Sequence, residues 1–187
     1  SLWNVVAAKN NSTSFQVLFD GTGSREGQNF VWTTDSNGEY RDFSGWLTDA
    51  QAASDGYENT FTRDFNNDGL ISGGTYYQLL GDNGAVTLHT GLNDDSSSLW
   101  NVVAAKNNST SFQVLFDGTA SREGQNFVWN TSSSGEYRDF SGWLTDAEAA
   151  SAGYENTFTR DLNNDGLISG GTYYQLLGDN GAVTLHT

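Results

Sequence analysis

Cysteine, methionine and proline are all missing from this chain of 187 residues, and basic residues are few. Eight Lys and Arg stand against 23 Asp and Glu, a formal net charge of −15. Without Cys there is no disulfide framework, so an extracellular protein of this composition needs another staple, and bound metal is one. The acidic balance opposes binding to nucleic acid or to anionic membrane surfaces and is compatible with divalent cations. No apolar run approaches the roughly 20 residues that span a bilayer. Neither a signal peptide nor an initiating Met opens the chain. It is therefore expected to be a section of a longer protein, with any secretion signal lying outside it.

What is present is glycine and aromatic side chains: 22 Gly, 6 Trp, 8 Tyr and 11 Phe. The aromatics suffice for a folded core and argue against disorder. The chain also repeats itself. Residues 1–90 align without a gap on 98–187, and seven pairs differ: Gly23/Ala120, Thr33/Asn130, Asp35/Ser132, Asn37/Ser134, Gln51/Glu148, Asp55/Ala152 and Phe65/Leu162. Between the copies lies GLNDDSS, a polar linker at 91–97. Two tandem domains, 1–90 and 98–187, are the simplest reading. Exchange of strands between neighbouring repeats is the rival, because a repeat has no intrinsic starting point.

Within one copy, LWNVVAA reads as a strand. SFQVLFD alternates Phe15, Val17 and Phe19 against Gln16 and Leu18, the period of a strand. NFVWTT is a third strand, and Asn37-Gly38 a hairpin turn leading to EYRDF. Trp46, Ala50, Ala53, Tyr57 and Phe61 then recur at three or four, which predicts a helix with one apolar face. Thr48 to Gln51, and Thr145 to Glu148, are capping boxes, and Gly56 is placed to break the helix in two. A hairpin across Asp82-Asn83-Gly84 closes the copy. The expected class is α+β: two tandem copies of a small antiparallel sheet domain, each with one helix leading into an EF-hand-like loop.

That loop, RDFNNDGLIS at 63–72 and RDLNNDGLIS at 160–169, carries the chemistry. Oxygen-bearing side chains fall at alternate positions, as a hard cation with six to eight oxygen ligands requires. The expected calcium ligands are Asp64, Asn66, Asp68, the Leu70 carbonyl and Ser72, directly or through water. Their counterparts are Asp161, Asn163, Asp165, Leu167 and Ser169, so about one Ca²⁺ is expected per repeat. A glycine at the sixth position allows the sharp turn. The bidentate Glu of a full EF-hand is replaced by Thr75 and Thr172. The missing ligands must be water or a carboxylate from elsewhere. Two carboxylates per loop imply affinity in the range of extracellular modules, micromolar to millimolar. A polar turn without metal is the alternative.

At WTTDSNGEY and YENTFTRDFNNDGLIS the chain resembles the bacterial tryptophan-rich C-terminal domain family. The shared features are a Trp–Thr–Thr–Asp–x–Asn–Gly hairpin at Trp32–Gly38, the spacing of Glu58, Phe61 and Asp64, and the D-x-N-x-D-G-x-I run that follows. Copy two departs at the hairpin, where Ser132 and Ser134 replace Asp35 and Asn37, which leaves that hairpin a turn. The resemblance implies large secreted or surface-attached bacterial proteins and no established enzymatic activity.

The remaining candidates point away from catalysis. His89 and His186 have no nucleophile–base partner nearby in sequence. Glu39 and Asp42 fall on opposite faces of one strand. The Ser24-Arg25-Glu26 loop lacks a phosphate-loop Lys. Trp3, Trp32, Trp46 and Tyr40 are expected mainly to fill the core, with a sugar-stacking platform as the alternative. One of Tyr76 and Tyr77 is expected to be exposed. Three non-enzymatic readings follow: a calcium-stabilised structural or adhesive repeat, a calcium-dependent carbohydrate-binding module, and an accessory domain of a secreted enzyme. The expected location is extracellular or at the cell surface, and the expected partners are polysaccharide or neighbouring repeats, not nucleic acid or membrane.

Overall fold

A computed structural model describes residues 2–74, 76–88, 99–178 and 181–185. The linker, Thr75 and both histidines lie outside the described residues. Copy one runs β1 (Trp3–Asn10), β2 (Ser14–Gly21), β3 (Gln28–Asp35), β4 (Tyr40–Phe43), β5 (Leu47–Thr48), α1 (Asp49–Ser54), α2 (Tyr57–Phe61), β6 (Leu70–Ile71), β7 (Gln78–Gly81) and β8 (Gly84–Thr87). Copy two repeats this as β9 (Trp100–Asn107), β10 (Ser111–Gly118), β11 (Gln125–Ser132), β12 (Tyr137–Phe140), β13 (Leu144–Thr145), α3 (Asp146–Ser151), α4 (Tyr154–Phe158), β14 (Leu167–Ile168), β15 (Gln175–Gly178) and β16 (Gly181–Thr184). The fold is mostly antiparallel sheet with short helices. Each copy has a meander, β1-β2-β3-β4 or β9-β10-β11-β12, with β5 or β13 also on the third strand. A smaller three-stranded sheet follows in each, β6-β7-β8 and β14-β15-β16.

The helical stretch is shorter than the apolar period suggests. A capping box starts α1 at Thr48, whose hydroxyl accepts from Gln51 N while the Gln51 side chain accepts from Thr48 N. Trp46 therefore precedes the helix rather than lying on its face, and it is exposed. Gly56, in the left-handed region at φ 79°, separates α1 from α2, since a residue with a Cβ is disfavoured there.

Contacts along the chain group it into two compact units. One comprises Ser1–Asn67 with Ile71–Gly74, the other Asp68–Leu70 with Thr75–Thr187. In the first unit, Leu18, Val31, Leu47, Ala52 and Phe65 form a core between one face of the meander and the helices. A register shift between Val5 and Ala7 sets Val5 opposite Phe19 and Ala8 opposite Val17, on the other face.

The second unit has two cores. Ala104, Leu115, Val128, Ala149 and Leu162 repeat the helix-side core. The opposite face of the β9-β10-β11 meander holds Val102, Phe112, Val114, Phe116 and Phe127, and onto these pack Leu70, Leu79 and Leu88 from copy one. The last hairpin of copy one thus completes copy two, which is why the compact unit crosses the repeat boundary. Burying each of Leu79 and Leu88 contributes roughly 1.5–3 kcal/mol, an upper value. Backbone contacts fix the register. Ala105 N donates to Asp68 O at 2.6 Å, and Asn107 Nδ2 donates to Asp82 Oδ1 at 2.7 Å. A Cβ on Gly69 would stand 1.9 Å from the Ala105 carbonyl oxygen.

Candidate functional site

The loop after α4 lies within one unit. Thr159 ends the helix in the left-handed region, and Asn164 and Gly166 adopt φ 56° and 83°. These turns wrap the loop on itself. Asp161 Oδ1 accepts from Asp165 N at 3.2 Å, and Asp161 Oδ2 accepts from Gly166 N at 2.7 Å. Asn163 Oδ1 accepts from Asp165 N at 3.1 Å. Asp165 Oδ1 accepts from Leu167 N at 2.8 Å, while its Oδ2 accepts from Asn163 Nδ2 at 3.0 Å. Three of the five predicted ligand residues are thereby brought together through side chains. Each carboxylate oxygen keeps a further lone pair for a cation.

Ser169 is turned elsewhere. Its hydroxyl donates to Glu155 Oε2 at 2.6 Å, and its backbone N–H donates to the same atom at 2.9 Å. Glu155 Oε1 accepts from Leu162 N at 3.0 Å and Asn163 N at 3.4 Å. This buried carboxylate ties the start of the loop to its end. Copy one has the same clamp within its own unit. Glu58 Oε1 accepts from Phe65 N at 2.8 Å, and Glu58 Oε2 accepts from Ser72 N at 2.9 Å and Ser72 Oγ at 2.6 Å. The ninth-position serines thus serve the clamp in both copies. Glu58 and Glu155 are fully buried, a costly placement for a carboxylate unless several donors meet it. Sequence reasoning placed Glu58 only within a family spacing. The available signal was an acid seven residues before buried Phe65 and fourteen before Ser72.

In copy one, Asp64 and Asn66 belong to the first unit, and Asp68 and Leu70 to the second. Leu70 N donates to Asp68 Oδ1 at 2.8 Å, the counterpart of the Leu167–Asp165 bond. Ile71 and Ile168 are buried.

Beside the copy-two loop lies a cleft of about 470 Å³ lined by Asp117, Glu123, Asp146, Arg160 and Asp161. Partial burial raises the Asp117 carboxyl above its ordinary value, and the Arg160 charge opposes this. Asn126 Nδ2 donates to Asp146 Oδ1 at 2.6 Å. Copy one has the equivalent cleft, where Arg63 pairs with Asp20 at 3.2 Å. Among the described residues, no three Asp, Glu or His side chains are grouped to hold a metal.

The aromatic rings divide: Trp100 and Trp129 pack against the second-unit core, whereas others depart from the expectation of a filled core. Trp32, Tyr40, Phe43 and Trp46 are exposed and, with buried Phe30, line a shallow apolar concavity of about 350 Å³. Trp46 stacks on Trp3 at 4.9 Å, and the Arg25 guanidinium lies 5.6 Å from the Trp46 ring centre. Copy two repeats the arrangement, with Trp143 stacked on Trp100 at 5.0 Å and Tyr137 and Phe140 exposed. The helices occupy the other sheet face, so Trp46 and Trp143 lie over Trp3 and Trp100 with an arginine against each and remain exposed. Tyr76 is exposed and Tyr77 half-buried.

The hairpin at Asp35 is a turn in both copies. Asp35 Oδ1 accepts from Asn37 N at 2.9 Å and Glu39 N at 3.0 Å, and Arg41 bonds its other oxygen. These bonds hold its carboxyl below the ordinary value, the Arg41 hydrogen bond first. Ser132 accepts from Ser134 N and Glu136 N in the same places, so the Asp35/Ser132 difference preserves the turn. No family model matches the chain, and neither does any of the curated proteins or solved structures compared with it.

Proposed function

We propose that this chain is a non-catalytic, calcium-stabilised structural or adhesive repeat of a secreted or surface-attached protein, related to the bacterial tryptophan-rich C-terminal domains. Each α2 or α4 helix leads into an EF-hand-like loop. In copy two the Asp161 and Asp165 carboxylates, the Asn163 amide oxygen and the Leu167 carbonyl would hold the ion, with water completing its shell. The same residue types stand at Asp64, Asn66, Asp68 and Leu70.

The observation that carries this reading is the seating of one repeat's hairpin in the next repeat's sheet, with loop residue Asp68 bonded to Ala105. The two Asp residues of a loop repel one another without a cation, in a chain already at −15. Binding to the folded state alone adds about 2.7 kcal/mol at ~100 times Kd. Melting in millimolar calcium, in magnesium and in excess chelator tests this: stabilisation by calcium alone is expected, and identical melts would reject it.

A second reading rests on the exposed aromatic faces of both copies, which suit stacking against sugar rings. Quenching or enhancement of Trp fluorescence by soluble polysaccharide, abolished in a Trp46→Ala, Trp143→Ala double variant, is its test.

A further inference from the structure

The hairpin of copy one and the sheet of copy two form a joint whose two halves each occur once more in the chain. Residues 70–90 are identical to 167–187, and residues 3–21 are identical to 100–118. In the joint, Leu79 and Leu88 are 0% and 2% exposed; their counterparts Leu176 and Leu185 are 40% and 41% exposed. Val86 is half-buried in the joint, while Val183 is exposed. The receiving sheet differs in the same way. Val102 is 8% exposed in the joint, and Val5 is 62% exposed. Phe112, Val114 and Phe116 are buried, whereas Phe15, Val17 and Phe19 are only partly covered.

The close backbone approaches follow suit. A Cβ on Gly69 would meet the Ala105 oxygen at 1.9 Å, and one on Gly135 would meet the Thr87 oxygen at 2.1 Å. Around the counterparts, Gly166 and Gly38, there is nothing within 4 Å. Among the described residues, the Leu167–Leu185 hairpin and the β1-β2 face thus expose the side chains that their counterparts bury, and both have the sequence of a joint already formed within the chain.

We infer that the chain associates head to tail with further copies of itself: the Leu167–Leu185 region of one copy seats on the β1-β2 face of the next, as Leu70–Leu88 seats on β9-β10. The interface is heterologous, so each chain offers one hairpin and one receiving face, and association can continue from chain to chain. It is built from backbone register and aliphatic packing, and it does not rest on the calcium reading. Within the formed joint the receiving edge carries Ser132 and Ser134, where the open face carries Asp35 and Asn37. Both turns keep their geometry. Tyr137, Phe140 and Trp143 stay exposed with a hairpin seated, so the exposed aromatic edge is separate from the joint.

Sedimentation velocity of the full chain, in calcium and in chelator, tests the inference from about 1 µM to about 1 mM, the upper end matching the effective concentration of linked modules. The weight-average mass is expected to rise with concentration past twice the 20.3 kDa of one chain. Val5→Glu blocks one end and Val183→Glu the other, both at exposed positions that tolerate charge in the single chain. Circular dichroism checks that each variant is folded. Each variant alone is expected to stay monomeric, and their equimolar mixture to form a species of two chains and no larger. A single-chain mass throughout the range, continued growth of either variant alone, or a mixture without the two-chain species would overturn the inference.

Discussion

Replacing Glu155 by Gln removes one buried charge while keeping the side chain's size. The carboxylate meets four donors: Leu162 N, Asn163 N, Ser169 N and Ser169 Oγ. An amide offers one oxygen and one NH₂. If the nitrogen takes the Oε2 place, it faces the Ser169 N–H; if it takes the Oε1 place, it faces the Leu162 N–H. In either orientation at least one buried backbone donor is left without an acceptor, at about 1–3 kcal/mol, and the remaining bonds lose their charge assistance. The expected loss is about 2–4 kcal/mol, a large part of the ~5–15 kcal/mol typical of a domain. Urea unfolding followed by Trp fluorescence measures it, in chelator so that cation binding does not contribute. Glu58→Gln is expected to act by a similar amount on the first unit. Exposed Glu123→Gln serves as the control and should stay within about 0.5 kcal/mol. If Glu155→Gln and Glu123→Gln cost the same, the clamp is not holding the loop.

Three further outcomes are expected. Gly69→Ala and Gly166→Ala share a left-handed backbone, φ 82° and 83°, and each should lose about 1–2 kcal/mol from that alone. Gly69→Ala should lose about 1–3 kcal/mol more, because its Cβ meets the Ala105 oxygen; equal losses in urea unfolding would mean the joint is not seated as described. Asp117 has its carboxyl raised above the ordinary 3.8 by burial, so its favourable contribution is present below that value and is lost as pH rises through the folded-state value. Asp117→Asn should match the parent at the acidic end and exceed it at neutral pH, read as urea midpoints across the acid range; a variant that loses stability at neutral pH would show the Arg160 attraction to dominate instead. Thr145→Ala removes the acceptor for Glu148 N and should cost about 1 kcal/mol, checked by thermal melting, and a neutral result would deny the capping box a role.

The local elements were largely legible in the sequence. The alternation Phe15, Val17, Phe19 gave strand β2, Asn37-Gly38 gave the β3–β4 turn, and Thr48 with Gln51 gave the start of α1. Gly56 broke the helix where its left-handed backbone required. Trp46 was misplaced because its spacing to Ala50 mimics a helical period, while the cap at Thr48 sets the true start. Trp32 and Trp46 were expected inside, to fill the core of a small domain lacking Met and Cys, but the helices cover only the Leu18 side of that sheet. The joint was not legible for a plain reason. The hairpin and the β1-β2 stretch are each identical between the copies and carry no mark of which hairpin belongs to which sheet, so only three-dimensional packing of Leu79 and Leu88 decides it. Of the loop, the alternate polar positions and the turning glycine could be read, but not the diversion of Ser72 and Ser169 to Glu58 and Glu155. That depends on a buried acid whose role appears only when α2 and the loop end are side by side.

Calorimetric titration of the metal-free chain with Ca²⁺ tests the central proposal most directly. The account predicts about two sites of similar, micromolar to millimolar affinity, one lost on Asp161→Ala and both lost when Asp64→Ala is added, with no comparable heat from magnesium. A stoichiometry of zero, or binding that survives the double substitution, would contradict it.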